Sequence, residues 1–186
     1  AENWISDWSL QHRPPAGTFL RAVDIPPLGF DTLFFDQVAA FAALPEARKD
    51  ELRALTAIHS AARGYAPDGL YGDNDNADRS MAITPGEAAF ARQAHPLIQR
   101  HPETAEEAIY CSVSYVVGIE GMGEMEALQL VMELHQWCEQ EQFLYRHRWE
   151  PDMLVMWDNR SDNHKATGGY EGHRRELHRT TIAAYA

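Results

Sequence analysis

The stretch from Trp157 to Ile182 constrains this chain more than any other. Val155-Met156-Trp157 opens it as strand and Leu177 to Ile182 closes it as strand. Gly168, Gly169 and Gly172 lie between, and glycine takes turn conformations without steric cost. The pattern predicts a hairpin with a wide loop, with His164 where the first strand gives way to the loop. Side chains alternate along a strand, so Arg175, Leu177, Arg179 and Thr181 share a face. If that face is interior, its two guanidinium groups need anions, because an unpaired buried charge is very costly. One imidazole and two inward arginines point to a metal beside carboxylate-type ligands. The same residues also suit an exposed hairpin with solvated charges, since Arg174, Glu176 and His178 charge the other face.

At 186 residues the chain reads as one domain, 1–186, with a real core. A formal net charge of −12 argues against non-specific binding to nucleic acid or an anionic membrane, since both need basic surfaces. It does not argue against a small anionic substrate, because a local arginine pair overrides the global charge. Cys111 and Cys138 imply no disulfide framework and fit a reducing, cytoplasmic setting. No apolar run is long enough to span a bilayer, and no signal-peptide pattern opens the chain. The start at Ala1, running straight into what reads as strand, suits a fragment or a processed product. A homo-oligomer stays open.

Trp4 to Leu10 alternates as a strand, with Ile5, Asp7 and Ser9 on one face. A carboxylate there is a candidate metal ligand or acid/base; the plainer reading is a surface aspartate at a strand edge. Strands are also predicted over 18–25, 31–35, 108–118 and 143–149. Asp36 caps a helix through Phe41, and Pro45 opens another to about Leu55, with Leu44, Leu52 and Leu55 facing the core. Thr84-Pro85-Gly86-Glu87 reads as a capping box starting a helix to His95. Glu124 to Cys138 is the strongest helix, with Met125, Leu128, Met132 and Cys138 inward. The span 61–80 is loop, a candidate lid. Its run from Asp73 to Asp78 fails as a calcium loop, because Asp78 and Thr84 stand where Gly and Glu are required. Many short strands with a few helices suggest a mostly β, jelly-roll-like barrel.

Four stretches carry a family resemblance: Trp4-Ile5-Ser6-Asp7-Trp8-Ser9, Gly29-Phe30-Asp31-Thr32-Leu33-Phe34, Trp157-Asp158-Asn159-Arg160, and His164 through His173-Arg174-Arg175-Glu176-Leu177-His178-Arg179-Thr180. Together they resemble the taurine dioxygenase / 2,4-dichlorophenoxyacetate dioxygenase (TauD/TfdA) family of Fe(II)- and 2-oxoglutarate-dependent oxygenases. The resemblance implies a double-stranded β-helix core of cupin-like type. It also implies an N-terminal segment ahead of the first motif, and the sequence begins almost on that motif. It makes Asp7 and His164 metal ligands, Arg175 and Thr32 the grip on the far carboxylate of 2-oxoglutarate, and Arg179 with Trp157 neighbours of an anionic substrate. Bidentate guanidinium–carboxylate pairing suits arginine to that task. Asp7, His164 and Arg175 then form the catalytic set, with Fe(II), 2-oxoglutarate and O2 as reactants.

The family's face of two histidines and one carboxylate leaves open positions on the metal. Here Ile5 stands at the first histidine's place and cannot ligate. His12 is no substitute, being of opposite strand parity and about 16 Å along a strand from Asp7. The resemblance therefore supports two expectations. One is a dioxygenase hydroxylating a small anionic organic compound such as a sulfonate or an aryloxyalkanoate, with 2-oxoglutarate decarboxylated to succinate. The other is an impaired descendant that binds a small dicarboxylate. A zinc site from His164, His173 and His178 is disfavoured, because His173 and His178 have opposite parity.

Overall fold

The structure, a computed structural model, describes residues 3–27, 29–72, 83–169 and 172–184. In chain order the elements are β1 (Gly17–Asp24), β2 (Thr32–Asp36), α1 (Gln37–Ala42), α2 (Glu46–Arg53), β3 (Thr56–Ser60), α3 (Ala62–Tyr65), β4 (Arg92–Pro96), β5 (Ile98–Arg100), β6 (Glu107–Ile109), β7 (Val116–Ile119), α4 (Glu124–Cys138), β8 (Leu144–His147), β9 (Leu154–Asp158), β10 (Asp162–Ala166) and β11 (Glu176–Ile182). They form three antiparallel sheets, β11-β1-β9, β10-β2-β8 and β4-β3-β7, and a ribbon of β5 and β6.

The first two sheets face one another. Thr18, Leu20 and Ala22 of β1 pair with Thr181, Arg179 and Leu177 of β11, and Thr18 and Leu20 pair with Trp157 and Val155 of β9. Paired residues share a face, so all of these look to one side. Opposite them, Phe34 of β2 pairs with His164 of β10. Phe34 meets Trp157 with ring centroids 5.4 Å apart, which closes the two sheets over a common interior. Side chains on the other face of β2 serve a second core. Phe35 joins Trp4, Phe41, Leu52, Ile109, Val116, Val131 and Leu134 beneath α1, α2 and α4.

Local rules explain the helices. The Asp36 side chain accepts from the Ala39 amide and starts α1. α2 places Leu52 fully inside, with Leu44 and Leu55 packed beside it. α4 has the expected bounds but another face: Ala127, Leu130, Val131, Leu134 and Cys138 are buried, whereas Met125 is 77% exposed and Leu128 and Met132 also face out. The β-branched and leucine positions at i, i+3 and i+4 outcompete the methionines for the core.

Four other expectations are corrected. Trp4 to Leu10 is not a strand: Ile5 makes one bridge to His164, and residues 7–10 turn. Strands β9 and β11 are not a hairpin; each pairs with β1, on opposite edges, and His164 sits within its own strand, β10, in the other sheet. The capping box yields only a 3-10 turn, Glu87–Phe90, before β4, because Ser60 and Ala57 of β3 pair with Arg92 and His95 and draw that segment into a sheet. The expected strand over 108–118 is broken between β6 and β7 by a turn at 113–115. The calcium-loop run and the rest of 73–80 lie outside the described residues; the first part of the candidate lid, 61–72, carries the short helix α3.

Candidate active site

Asp7 and His164 come together although nearly the whole chain separates them. His164 Nε2 lies 4.0 Å from Asp7 Oδ1. The backbone amides and carbonyls of Ile5 and His164 exchange hydrogen bonds of 3.0 and 2.9 Å, which sets the Asp7 turn beside β10. Both side chains are buried, Asp7 at 1% exposure. Burial pulls the His164 imidazole down to about 4, with Arg179 adding and Asp7 opposing, so it is neutral near neutral pH. The ring lies 4.6 Å from the Trp157 ring.

Asp7 is held by a directed chain of donors. Trp157 Nε1 donates to Asn159 Oδ1 (3.0 Å), Asn159 Nδ2 to Thr18 Oγ1 (2.9 Å), and the Thr18 hydroxyl to Asp7 Oδ2 (2.7 Å). Each acceptor is filled from behind, so each proton is committed toward Asp7, and hydrogen bonds in series polarise one another. The other carboxylate oxygen, Oδ1, accepts from Arg179 Nη1 at 3.1 Å. The turn itself is pinned from outside. Ser6 Oγ donates to the Asn159 carbonyl, Ser9 Oγ meets His59 Nδ1 at 3.0 Å, and His95 Nε2 meets the Gln11 carbonyl at 2.9 Å. Asp158, next to the relay, is clamped by Arg160 and by His101 Nε2 at 3.0 Å.

The structure places the other candidates as follows. Arg179 points inward and reaches Asp7 directly, from a side chain 46% exposed. Thr32 is buried, and its Oγ1 accepts from Trp149 Nε1 at 3.0 Å, which leaves the hydroxyl proton available to an anion. Arg175 immediately precedes β11, with its guanidinium carbon 5.9 Å from the Phe30 ring centre. Trp157 is buried and spends its N–H on Asn159, so it packs under His164. Ile5 lines a cavity of about 290 Å³ with Arg63, Tyr65, Tyr71 and Tyr115. His178 is exposed beside Glu176 at 2.9 Å. Reading the sequence missed Thr18, Asn159, His59 and His95; Asn159 alone left a trace, inside the quoted Trp157–Arg160 stretch.

The chain as a whole is similar to known proteins. The model of the "Taurine catabolism dioxygenase TauD, TfdA family" matches residues 1–181. The chain belongs to this family. An alpha-ketoglutarate-dependent 2,4-dichlorophenoxyacetate dioxygenase of Cupriavidus pinatubonensis is 34% identical over 178 residues, covering 96% of this chain and 58% of that protein. An alpha-ketoglutarate-dependent sulfonate dioxygenase of Saccharomyces cerevisiae is 31% identical, covering 90% of this chain and 38% of its own length. The chain thus spans less than two thirds of these relatives. Among solved structures, AAD-2 in complex with Mn(II) and N-oxalylglycine superposes with a TM-score of 0.84 at 29% identity, covering 98% of this chain and 69% of that one. A taurine dioxygenase from Burkholderia xenovorans gives 0.81 at 27% identity, with 98% and 57% covered. The fold is therefore the double-stranded β-helix of these oxygenases.

The family implies a metal, and the donors can be tested against it. Asp7 and His164 supply a carboxylate and a neutral imidazole converging on one point. Ile5 supplies nothing, and among the described residues no three His, Cys, Asp or Glu side chains converge. The residues present fit a two-donor centre, not the family's three-donor face.

Proposed function

We propose that this TauD/TfdA domain serves Fe(II)- and 2-oxoglutarate-dependent oxygenation of a small anionic organic compound, a sulfonate, an aryloxyalkanoate or similar. The observation that carries this reading is the approach of His164 Nε2 to Asp7 Oδ1 at 4.0 Å, beneath an inward arginine. Iron with 2-oxoglutarate supplies oxygen activation, and the cosubstrate leaves as succinate and carbon dioxide. In this reading Asp7 and His164 hold the metal, Arg175 and the free hydroxyl proton of Thr32 grip 2-oxoglutarate, and Arg179 with Trp157 borders the substrate. Relatives named for 2,4-dichlorophenoxyacetate, sulfonate and sulfate-ester dioxygenation support the reaction class.

Ile5 favours a second reading, an impaired descendant that binds a small dicarboxylate without turnover. Anaerobic addition of Fe(II) and 2-oxoglutarate, watched for a visible charge-transfer band, followed by oxygen and a succinate assay, separates the two. A band and succinate support oxygenation; 2-oxoglutarate binding without either supports the descendant. Recovery of both signals on Ile5→His alone locates the deficit at that position.

A further inference from the structure

Where the family has its first histidine, this chain has a side chain that builds a wall. Ile5 exchanges backbone hydrogen bonds of 3.0 and 2.9 Å with His164, so its main chain is fixed beside β10. Its half-buried side chain lines the cavity of about 290 Å³. The other walls come from two distant segments. α3 and the turn after it bring Arg63, Tyr65, Leu70 and Tyr71, and the turn between β6 and β7 brings Val113 and Tyr115. Arg63 is anchored on the second of these, with Nη1 donating to the Val113 carbonyl at 2.8 Å. The chain has 28 acidic residues, yet the described lining holds one arginine and no carboxylate. Leu70 is 60% exposed, and Tyr65 and Tyr71 are half-buried. Apolar surface is thus left to water on a concave wall, which is the mark of a ligand seat.

Size, ring geometry and charge select the ligand. The volume sits at the lower end of ligand pockets, roughly 300 Å³, so it takes one ring with a short tail and excludes a nucleotide or a fused ring system. The Tyr65 and Tyr71 rings lie 5.5 Å apart and are tilted by 54°, so they offer a third ring both a face and an edge. An aromatic ring gains offset or edge-to-face contacts there that a saturated ring of the same size does not. A short aliphatic sulfonate would satisfy Arg63 but leave the tyrosine and leucine walls wet. We infer that this cavity is a seat for a single-ring aromatic carboxylate, with the ring against Ile5, Tyr65 and Tyr71 and the carboxylate on Arg63. Guanidinium and carboxylate match in shape as well as charge. Ile5 has a role here that a histidine would perform less well, as apolar wall. The seat needs no metal at Asp7 and is independent of whether the chain turns over as an oxygenase.

The test is equilibrium binding by titration calorimetry, in EDTA so that no metal takes part. The probes are phenylacetate, cyclohexylacetate, which keeps size and charge without aromaticity, and benzyl alcohol, which keeps the ring without the charge. The unaltered chain binds phenylacetate at least about 3-fold more tightly than cyclohexylacetate and at least about 10-fold more tightly than benzyl alcohol. Tyr71→Leu brings the first ratio to about one, and Arg63→Met does the same to the second. Ile5→His weakens phenylacetate at least about 5-fold, whereas Ile5→Val weakens it less than about 2-fold. No saturable phenylacetate binding up to about 10 mM, or equal affinity for all three probes, overturns the seat. Ratios untouched by both Tyr71→Leu and Arg63→Met overturn its assignment to this cavity, and equal or tighter binding by Ile5→His overturns the part given to Ile5. The two ratios on the unaltered chain need no substitution to fold.

Discussion

The two halves of the site are built on different physics. His164 belongs to β10, whose residues pair with β2 through the backbone, and its own amide and carbonyl are taken by Ile5. Its side chain projects from a ladder that does not depend on it. Asp7 sits in a turn with no ladder, held by side chains from four other places: Thr18 of β1, Asn159 after β9, His59 of β3 and His95 of β4. His164 is fixed by main chain and Asp7 by a buried polar network. Networks fail when a single member is removed, because the remaining members are left buried and unsatisfied.

That contrast is broken most directly at Asn159. Asn159→Ala strips the acceptor from Trp157 and the donor from Thr18, and a loss of about 3 kcal/mol is expected in urea unfolding. A loss below about 1 kcal/mol would place the strength of the Asp7 turn elsewhere.

The next largest effect is a pH response confined to the turn side. Burial, helped by His95, pulls His59 down to about 3, so the folded state keeps it neutral while the unfolded chain protonates it near 6.5. Its contribution is complete above about 6.5 and is lost as pH falls toward 3, at up to about 1.4 kcal/mol per unit. Unfolding followed from pH 7 to 5 is expected to lose about 2 kcal/mol from this residue, and His59→Gln is expected to flatten that slope whatever its effect at pH 7.

On the strand side the sign reverses. Asp162 is pushed up to about 7, first by burial and then by Asp36 and Asp158. It penalises the fold increasingly as pH rises from the ordinary carboxylate range through 7. Asp162→Asn is therefore expected to gain at least about 1 kcal/mol at pH 8 and little at pH 4. The smallest change is expected at His164 itself: His164→Gln leaves the backbone pairing intact, and its unfolding free energy should change by less than about 1 kcal/mol. A collapse of the fold in that variant would show that the strand half also depends on its side chain.

The same contrast explains what could be read in the sequence. β1, β2, β11, α1, α2 and the bounds of α4 follow from periodicity and capping, which act within a few residues. Asp7, His164 and the family followed from motif. The partners of Asp7 did not, because Thr18, His59, His95 and Asn159 are ordinary residue types whose roles arise only when distant strands meet. The split of β9, β10 and β11 between two sheets was equally invisible, since local pattern marks a strand but not the neighbour it chooses. The inward methionines of α4 were misjudged because the wrong apolar stripe was chosen on a helix with two.

Gly29 sits at a φ of +79°, and a Cβ there would lie 2.5 Å from the Gly169 carbonyl oxygen. The Phe30 amide binds the Gly168 carbonyl at 3.1 Å, so the approach to β2 and the segment leading toward Arg175 touch at this point. A methyl group at position 29 would force Gly168–Gly169 away from the approach to β2, and so disturb the chain that leads on toward both arginines. A mutational survey scored on ligand affinity would then flag a residue with no functional group, and the inventory of the mouth would have to include a glycine.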